Sequence, residues 1–284
     1  MPAPPGPTRS ASCASRRHLN TPPPPRLRAL RSAHSRAHGA PGDAAPDVAT
    51  PAPARFDTLP LDEKLLRAVA DSGYQTMTPI QAKAIPIVLA GRDVMGAAQT
   101  GTGKTAAFSI PLLQKMLKHE NPSMSPARHP VRALVLAPTR ELAVQVGNVV
   151  RDLARQLPQR PRIAVVFGGV SINPQMMGLR GGADVVVATP GRLLDLVDHN
   201  ALKLGDVSLL VLDEADRLLD LGFADELNRI LALLPAQRQN LFFSATFPAA
   251  VQGLAAALLR DPVRVEVADT PDHAPDIVQR VIEV

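Results

Sequence analysis

Short apolar runs alternate with longer stretches of helical period, and the polar residues best suited to chemistry fall immediately after the runs. These observations predict an α/β fold: a doubly wound, mostly parallel sheet with helices on both faces. The runs are Val94–Ala97, Val131–Ala137, Ile163–Phe167, Val185–Ala188, Leu209–Leu212 and Leu241–Phe243. A strand that is apolar on both faces is covered on both, which is the condition of a parallel sheet between two layers of helices. The intervening stretches fit. Ala107, Phe108, Ile110, Leu113 and Met116 recur at helical spacing, as do Leu142, Val146, Val149, Val150 and Leu153, and later Phe223, Leu227, Ile230, Leu231 and Leu234.

The chain has 284 residues, 45% hydrophobic and 20% charged, enough apolar surface for one sizeable core. Its net charge of +5 is not evenly spread. Residues 1–54 carry seven arginines against Asp43 and Asp47, so the remainder is neutral and any polyanion site in it must be built locally. Twelve of the 29 prolines lie in residues 1–55, and large apolar side chains there are few. Such a segment cannot offset its ordering entropy by burial, so residues 1–54 are expected to be a disordered Pro/Arg-rich tail. Its arginines and serines resemble a transit peptide without the amphipathic stripe, and they offer a nonspecific hold on RNA phosphates. Cys13 is the only cysteine, which excludes an intramolecular disulfide and multi-cysteine metal sites. No stretch approaches the roughly 20 apolar residues of a membrane span, and no apolar secretory core opens the chain, so a cytoplasmic, membrane-free protein is expected.

In open α/β sheets ligands bind at the carboxyl ends of the strands. There Ala98-Gln99-Thr100-Gly101-Thr102-Gly103-Lys104-Thr105 reads as a phosphate-binding loop between a strand and a helix. Gly101 and Gly103 permit backbone angles that turn amide groups inward, and the helix that follows aims its positive end at the same oxygens. Lys104 is expected at the β- and γ-phosphates, and the Thr105 hydroxyl on Mg²⁺. Asp213 and Glu214 end the run Leu209–Leu212. A buried acid pair is costly unless a cation sits opposite. Asp213 is therefore expected as an indirect or water-mediated Mg²⁺ partner, and Glu214 as the group that orients and deprotonates the attacking water. The two clusters are expected to face each other across adjoining strands.

Asp213-Glu214-Ala215-Asp216 is the signature of the DEAD-box RNA helicase family, and from Phe56 to about Val267 the chain resembles the first RecA-like domain of that family. Seven motifs stand in order: Gly73 to Gln81 resembling the Q motif, the phosphate loop, Pro138-Thr139-Arg140-Glu141-Leu142, Gly168-Gly169, Thr189-Pro190-Gly191-Arg192, the acid motif, and Ser244-Ala245-Thr246. The resemblance implies ATP and Mg as cofactors, with Phe56, Thr76, Gln81, Gln99, Thr100, Gly101, Thr102, Gly103, Lys104 and Thr105 around the nucleotide. Gln81 would read the adenine edge and Phe56 would stack on the base; from the residues alone, Gln81 is equally a helix N-terminal residue and Phe56 a core anchor. The family implies that Pro138, Thr139, Arg140, Gly169, Thr189 and Arg192 hold an RNA sugar–phosphate backbone without reading bases. Taken singly, each arginine is better explained by a surface ion pair; their shared edge of the sheet is what favours RNA. Asp216, Ser244 and Thr246 would couple hydrolysis to unwinding, with ordinary strand-end capping as the plainer alternative.

Residues 55–267 are thus expected to be an ATP-binding helicase domain, and 268–284 a linker and the start of a second RecA-like domain. Without that domain's arginine finger the chain is expected to hydrolyse ATP poorly and not to unwind RNA alone. Two other readings stay open: a noncatalytic nucleotide- or partner-binding regulator, and a DNA- or protein-remodelling ATPase of the same superfamily. A monomer is expected, working on RNA, with a ribonucleoprotein or RNA-decay assembly as a compatible partner.

Overall fold

The sheet is seven-stranded: β1 (Val94–Ala97), β2 (Ala133–Leu136), β3 (Ile163–Val166), β4 (Val185–Ala188), β5 (Leu209–Leu212), β6 (Gln239–Ser244) and β7 (Val263–Glu266). Its order is β3-β4-β2-β5-β6-β1-β7, and every pairing is parallel. This computed structural model describes residues 54–99, 101–119, 125 and 129–267. The expectations for residues 1–53, for Thr100 and for 268–284 fall outside the described residues.

The strand period of two explains the double winding. Ala133 and Val135 of β2, Val185 and Val187 of β4, and Val211 of β5 point into one core. It is covered by α1 (Glu63–Asp71), α2 (Pro79–Leu89), α3 (Lys104–Met116) and α4 (Arg140–Ala154). The alternate residues Leu134, Leu136, Val186, Ala188, Leu210 and Leu212 point into a second core. Over it lie α6 (Pro190–Asp198), α7 (Ala215–Asp220), α8 (Ala224–Leu233) and α9 (Ala249–Leu258), with Leu179 of α5 (Asn173–Leu179) at one side. Strands β2, β4 and β5 are buried at every position, as continuous apolar runs require.

Two strands depart from the sequence reading. β7 was not anticipated: Val263-Arg264-Val265-Glu266 alternates because it is an outer strand whose Val265 alone is buried. β6 starts two residues earlier than its apolar run, at Gln239 and Asn240, and both are buried with partners. Gln239 Nε2 donates to the carbonyls of Val88 and Arg92, while Asn240 N and Nδ2 donate to Asp93 at 2.8 and 3.1 Å. Asp93 also accepts from Arg260 N at 2.9 Å. A matching knot lies at the start of β4. The buried Asp184 carboxylate is paired with His129 Nδ1 at 2.9 Å and accepts from Arg132 at 2.9 Å and Arg162 N at 2.8 Å. Both knots close the end of the sheet where the strands begin, and the opposite end carries the candidate site.

Candidate functional site

The bend after β1 needs its glycines. Gly101 and Gly103 adopt φ of +85° and +93°, in the left-handed region that side chains avoid. Gly103 is also crowded: a Cβ there would lie 2.5 Å from Gln81 Nε2 and 2.9 Å from Thr78 Oγ1. Thr102 Oγ1 closes the bend by donating to the Gln99 carbonyl at 2.8 Å. Gly103 then caps α3, and Lys104 and Thr105 fall on its first turn. Lys104 is buried, yet among the described residues its Nζ has no hydrogen-bond partner. An ammonium so withdrawn from water without a partner is costly, and its position demands an anion.

A fixed anion that feels this charge is Asp213, at the end of β5. Burial pushes its carboxyl up to about 6, and Glu214 adds to the rise, while the positive charge of Lys104 pulls the other way. The two clusters therefore sit at one end of the sheet, although not across adjoining strands as the sequence suggested. β6 lies between β1 and β5, because the chain returns from β5 to insert β6 next to β1. Glu214 is buried at φ +50°, a left-handed position unusual for a side-chain-bearing residue, and its N–H donates to Asp213 Oδ1 at 3.1 Å. Glu214 Oε2 is paired with Arg217 at 3.3 Å. That partner was missed, though its spacing three residues along α7 was a readable signal.

β6 ends between these clusters in Ser244, which connects them to the acid motif. Ser244 Oγ accepts from Asp216 N at 3.1 Å and donates to the Thr246 carbonyl at 2.7 Å. Thr246 returns two bonds to Asp216 Oδ2, from N and from Oγ1, both at 2.8 Å. Partial burial would raise the Asp216 carboxyl, but the bonds from Thr246, Arg217 N and Ser244 outweigh it and hold the group below its ordinary range.

Phe56 and Gln81 both have contacts within the fold. Phe56 is a core residue, 4% exposed, with its ring edge-on to Tyr74 at 6.2 Å. Gln81 is 2% exposed on the first turn of α2. Its Oε1 accepts from Thr78 N at 2.9 Å and its Nε2 donates to the Gly103 carbonyl at 3.2 Å. The amide thus ties the start of α2 to the phosphate loop. Thr76 makes an antiparallel bridge with Arg55, which docks the Phe56 segment against the segment that leads into α2.

The second group of loops follows β2, β3 and β4, whose ends lie side by side. Thr139 caps α4 by accepting from Leu142 N at 3.2 Å, and Arg140 beside it is exposed. Pro138 is buried, so its side chain serves packing. Gly169 stands exposed at φ +77° after β3. Thr189 and Arg192 on α6 are buried and turned toward that glycine turn: Thr189 Oγ1 accepts from Gly168 N at 3.3 Å, and Arg192 donates to the Val170 carbonyl at 2.7 Å. Arg192 also lies 3.5 Å from Asp195, and its Nη1 has no partner among the described residues. Among the described residues Arg140 forms no ion pair; its guanidinium lies 4.8 Å above the Phe167 ring.

Residues 78–254 match a family model described as DEAD/DEAH box helicase. The chain belongs to that family. The match opens on the cap of α2 and includes every motif from Gln81 to Thr246, leaving Phe56 and Thr76 upstream. Among its relatives is the ATP-dependent RNA helicase DeaD of Mycobacterium tuberculosis, 46% identical over 231 residues, which are 81% of this chain and 39% of that protein. Another is the DEAD-box ATP-dependent RNA helicase CshA of Bacillus cereus, 40% identical over 81% of this chain and 42% of that protein. The chain spans about two fifths of these curated relatives. A crystal structure of a DEAD box protein from the hyperthermophile Methanococcus jannaschii shares the fold, with TM-score 0.66 and 34% identity, covering 75% of this chain and 55% of that one.

Proposed function

We propose that this chain is the ATP-binding half of an ATP-dependent RNA helicase. It binds Mg-ATP and the RNA backbone, and couples hydrolysis to unwinding when completed by a second RecA-like domain. The observation that carries the reading is the partnerless buried Lys104 Nζ at the same end of the sheet as Asp213, whose carboxyl burial raises to about 6. An orphaned cation and a desolvated carboxylate at one strand end fit a triphosphate together with a hard divalent cation. The relatives named as ATP-dependent RNA helicases support the same substrate pair.

The loop from Gln99 to Gly103 would take the phosphates on its amides, with Lys104 neutralising charge on the outer oxygens. Thr105 and Asp213 would hold Mg²⁺, a hydroxyl and a carboxylate of the hard-oxygen type that this ion prefers. Bound there, the metal would draw electron density from the phosphoryl oxygens as a Lewis acid. Glu214 would accept the proton of an attacking water, with Arg217, 3.3 Å from its carboxylate, restraining it until then. Asp216, bonded to Ser244 and Thr246, would relay the state of that site to the end of β6. Arg140, Gly169, Thr189 and Arg192 would line the RNA backbone, through groups that offer phosphate contacts and no base-edge readout. The adenine would lie on the Gln81 side of the loop, where the Gln81 amide meets the Gly103 carbonyl.

The test is RNA-stimulated phosphate release by the whole protein, with its second domain, comparing wild type and Glu214→Gln. The expected outcome is stimulation by RNA that the variant loses by at least about a hundredfold while still binding ATP. Equal stimulation by DNA, or turnover indifferent to RNA, would contradict the assignment.

A further inference from the structure

The turn from Phe167 to Val170 is fixed at four backbone atoms by three different side chains. Gln175 on α5 accepts from Phe167 N at 3.1 Å and donates to the Phe167 carbonyl at 3.0 Å. Thr189 holds Gly168 N, and Arg192 holds the Val170 carbonyl. The Gln175 clamp answers a specific need. β3 is the outer strand of the sheet, so the peptide that continues it has no strand beside it on one edge. A carboxamide offers one acceptor and one donor in a plane, which is what a neighbouring strand would have supplied.

The ring carried by this clamped peptide sits under Arg140. Among the described residues Arg140 makes no ion pair, so its charge is not cancelled. A carboxylate in place of the ring would hold the guanidinium equally well but would neutralise it toward a phosphate. An aromatic face attracts a cation through its quadrupole and leaves the net charge intact. It also removes rotamer freedom from a long exposed side chain before any ligand arrives, lowering the entropy cost of binding.

We propose that Phe167 is a positioning residue for nucleic-acid binding: its ring aims the Arg140 guanidinium at a phosphate, and Gln175 locks the ring in place by clamping its peptide. The proposal rests on the RNA-backbone reading of this edge. Neither residue is among those the sequence or the family resemblance pointed to. Phe167 ended an apolar run and read as a buried strand residue, while Gln175 lies eight positions away with no local pattern to connect them.

The experiment uses the 284-residue chain and a fluorescein-labelled single-stranded oligouridylate, with anisotropy read across a salt series. Phe167→Leu is expected to weaken binding about three- to tenfold, the scale of one cation–π contact. It should also flatten the salt slope by roughly 0.7, the value of one phosphate contact on a single strand. Phe167→Tyr, which keeps a π face, should restore both. Gln175→Leu should act in the same direction with a smaller effect, and it carries the test if Phe167→Leu fails to fold. In an Arg140→Ala background, Phe167→Leu should add nothing. A lower melting temperature with affinity and slope unchanged would assign Phe167 to packing alone and overturn the proposal, as would an equal loss in the Arg140→Ala background. If Arg140→Ala itself leaves RNA affinity unchanged, or wild type shows no binding, the RNA reading of this edge fails and the positioning role fails with it.

Discussion

The two ends of the sheet treat buried aspartates in opposite ways. Where the strands begin, Asp184 is paired with His129, Arg132 and Arg162 N, and Asp93 accepts from Asn240 twice and from Arg260 N. Where the strands finish, Asp213 is as deeply buried but takes one short-range bond from the next residue's N–H, and the cation that it faces has no hydrogen-bond partner among the described residues. Residue type and burial are shared, and the supply of donors differs. A carboxylate saturated by its own chain is part of the architecture. One left with unfilled lone pairs beside an orphaned ammonium is a place kept for something else.

The largest effect expected from this contrast is at the saturated end. Asp184→Ala removes one partner of a buried ion pair and leaves Arg132 uncompensated, so it should destabilise the chain by about 3–5 kcal/mol. Urea unfolding at pH 7.5 measures it, and a loss under about 1 kcal/mol would erase the distinction between the ends.

At the other end the sign reverses. The folded Asp213 carboxyl, at about 6, lies above its ordinary 3.8, so between these values the folded chain holds the extra proton. Asp213 therefore costs nothing below about pH 4, and its penalty grows as pH rises and is complete above about 6. Asp213→Asn should accordingly stabilise the nucleotide-free chain by about 1–3 kcal/mol at pH 8 and make little difference at pH 4. Parallel urea melts at the two pH values check this; a gap that does not change with pH would show that charge burial is not the cause. For the same reason Mg²⁺-dependent nucleotide affinity should rise from pH 5 to pH 7 as the carboxylate ionises.

A smaller effect belongs to the link between the ends of β5 and β6. Thr246→Val removes one bond to Asp216 at a partly exposed site, and about 0.5–1 kcal/mol of stability should go with it. Because Asp216 is held below its ordinary range, that contribution is present at neutral pH and disappears as pH falls through the depressed value. Thermal melts of the variant and wild type should therefore differ at pH 7, and the gap should shrink as the pH is lowered through the acid range.

The sequence disclosed what is encoded locally. The six apolar runs mark buried strands because burial on both faces leaves no room for polar residues, whereas β7, buried through Val265 alone, carries too short an alternation to stand out. The Gly-x-Gly-Lys-Thr bend was legible because glycine is demanded at the left-handed positions, and the acid pair because it interrupts a buried run. What could not be read depends on tertiary approach. The strand inserted between β1 and β5, the burial of Phe56 against Tyr74, and the turning of the Gln81 amide onto Gly103 all follow from how distant segments meet. The same is true of the residues that follow β2, β3 and β4. Arg192 had a plausible surface partner in sequence, but the fold buries it against the glycine turn.

The central claim is that Lys104, without a partner among the described residues, and Asp213, with a single donor from the next residue, hold a metal-bound triphosphate between them. Titration of a fluorescent ATP analogue into wild type and Lys104→Ala, each with Mg²⁺ and with EDTA, tests it directly. Saturable, Mg²⁺-dependent binding that Lys104→Ala weakens by at least about a hundredfold is the predicted result. Equal affinity in wild type and variant, with no response to Mg²⁺, would contradict it.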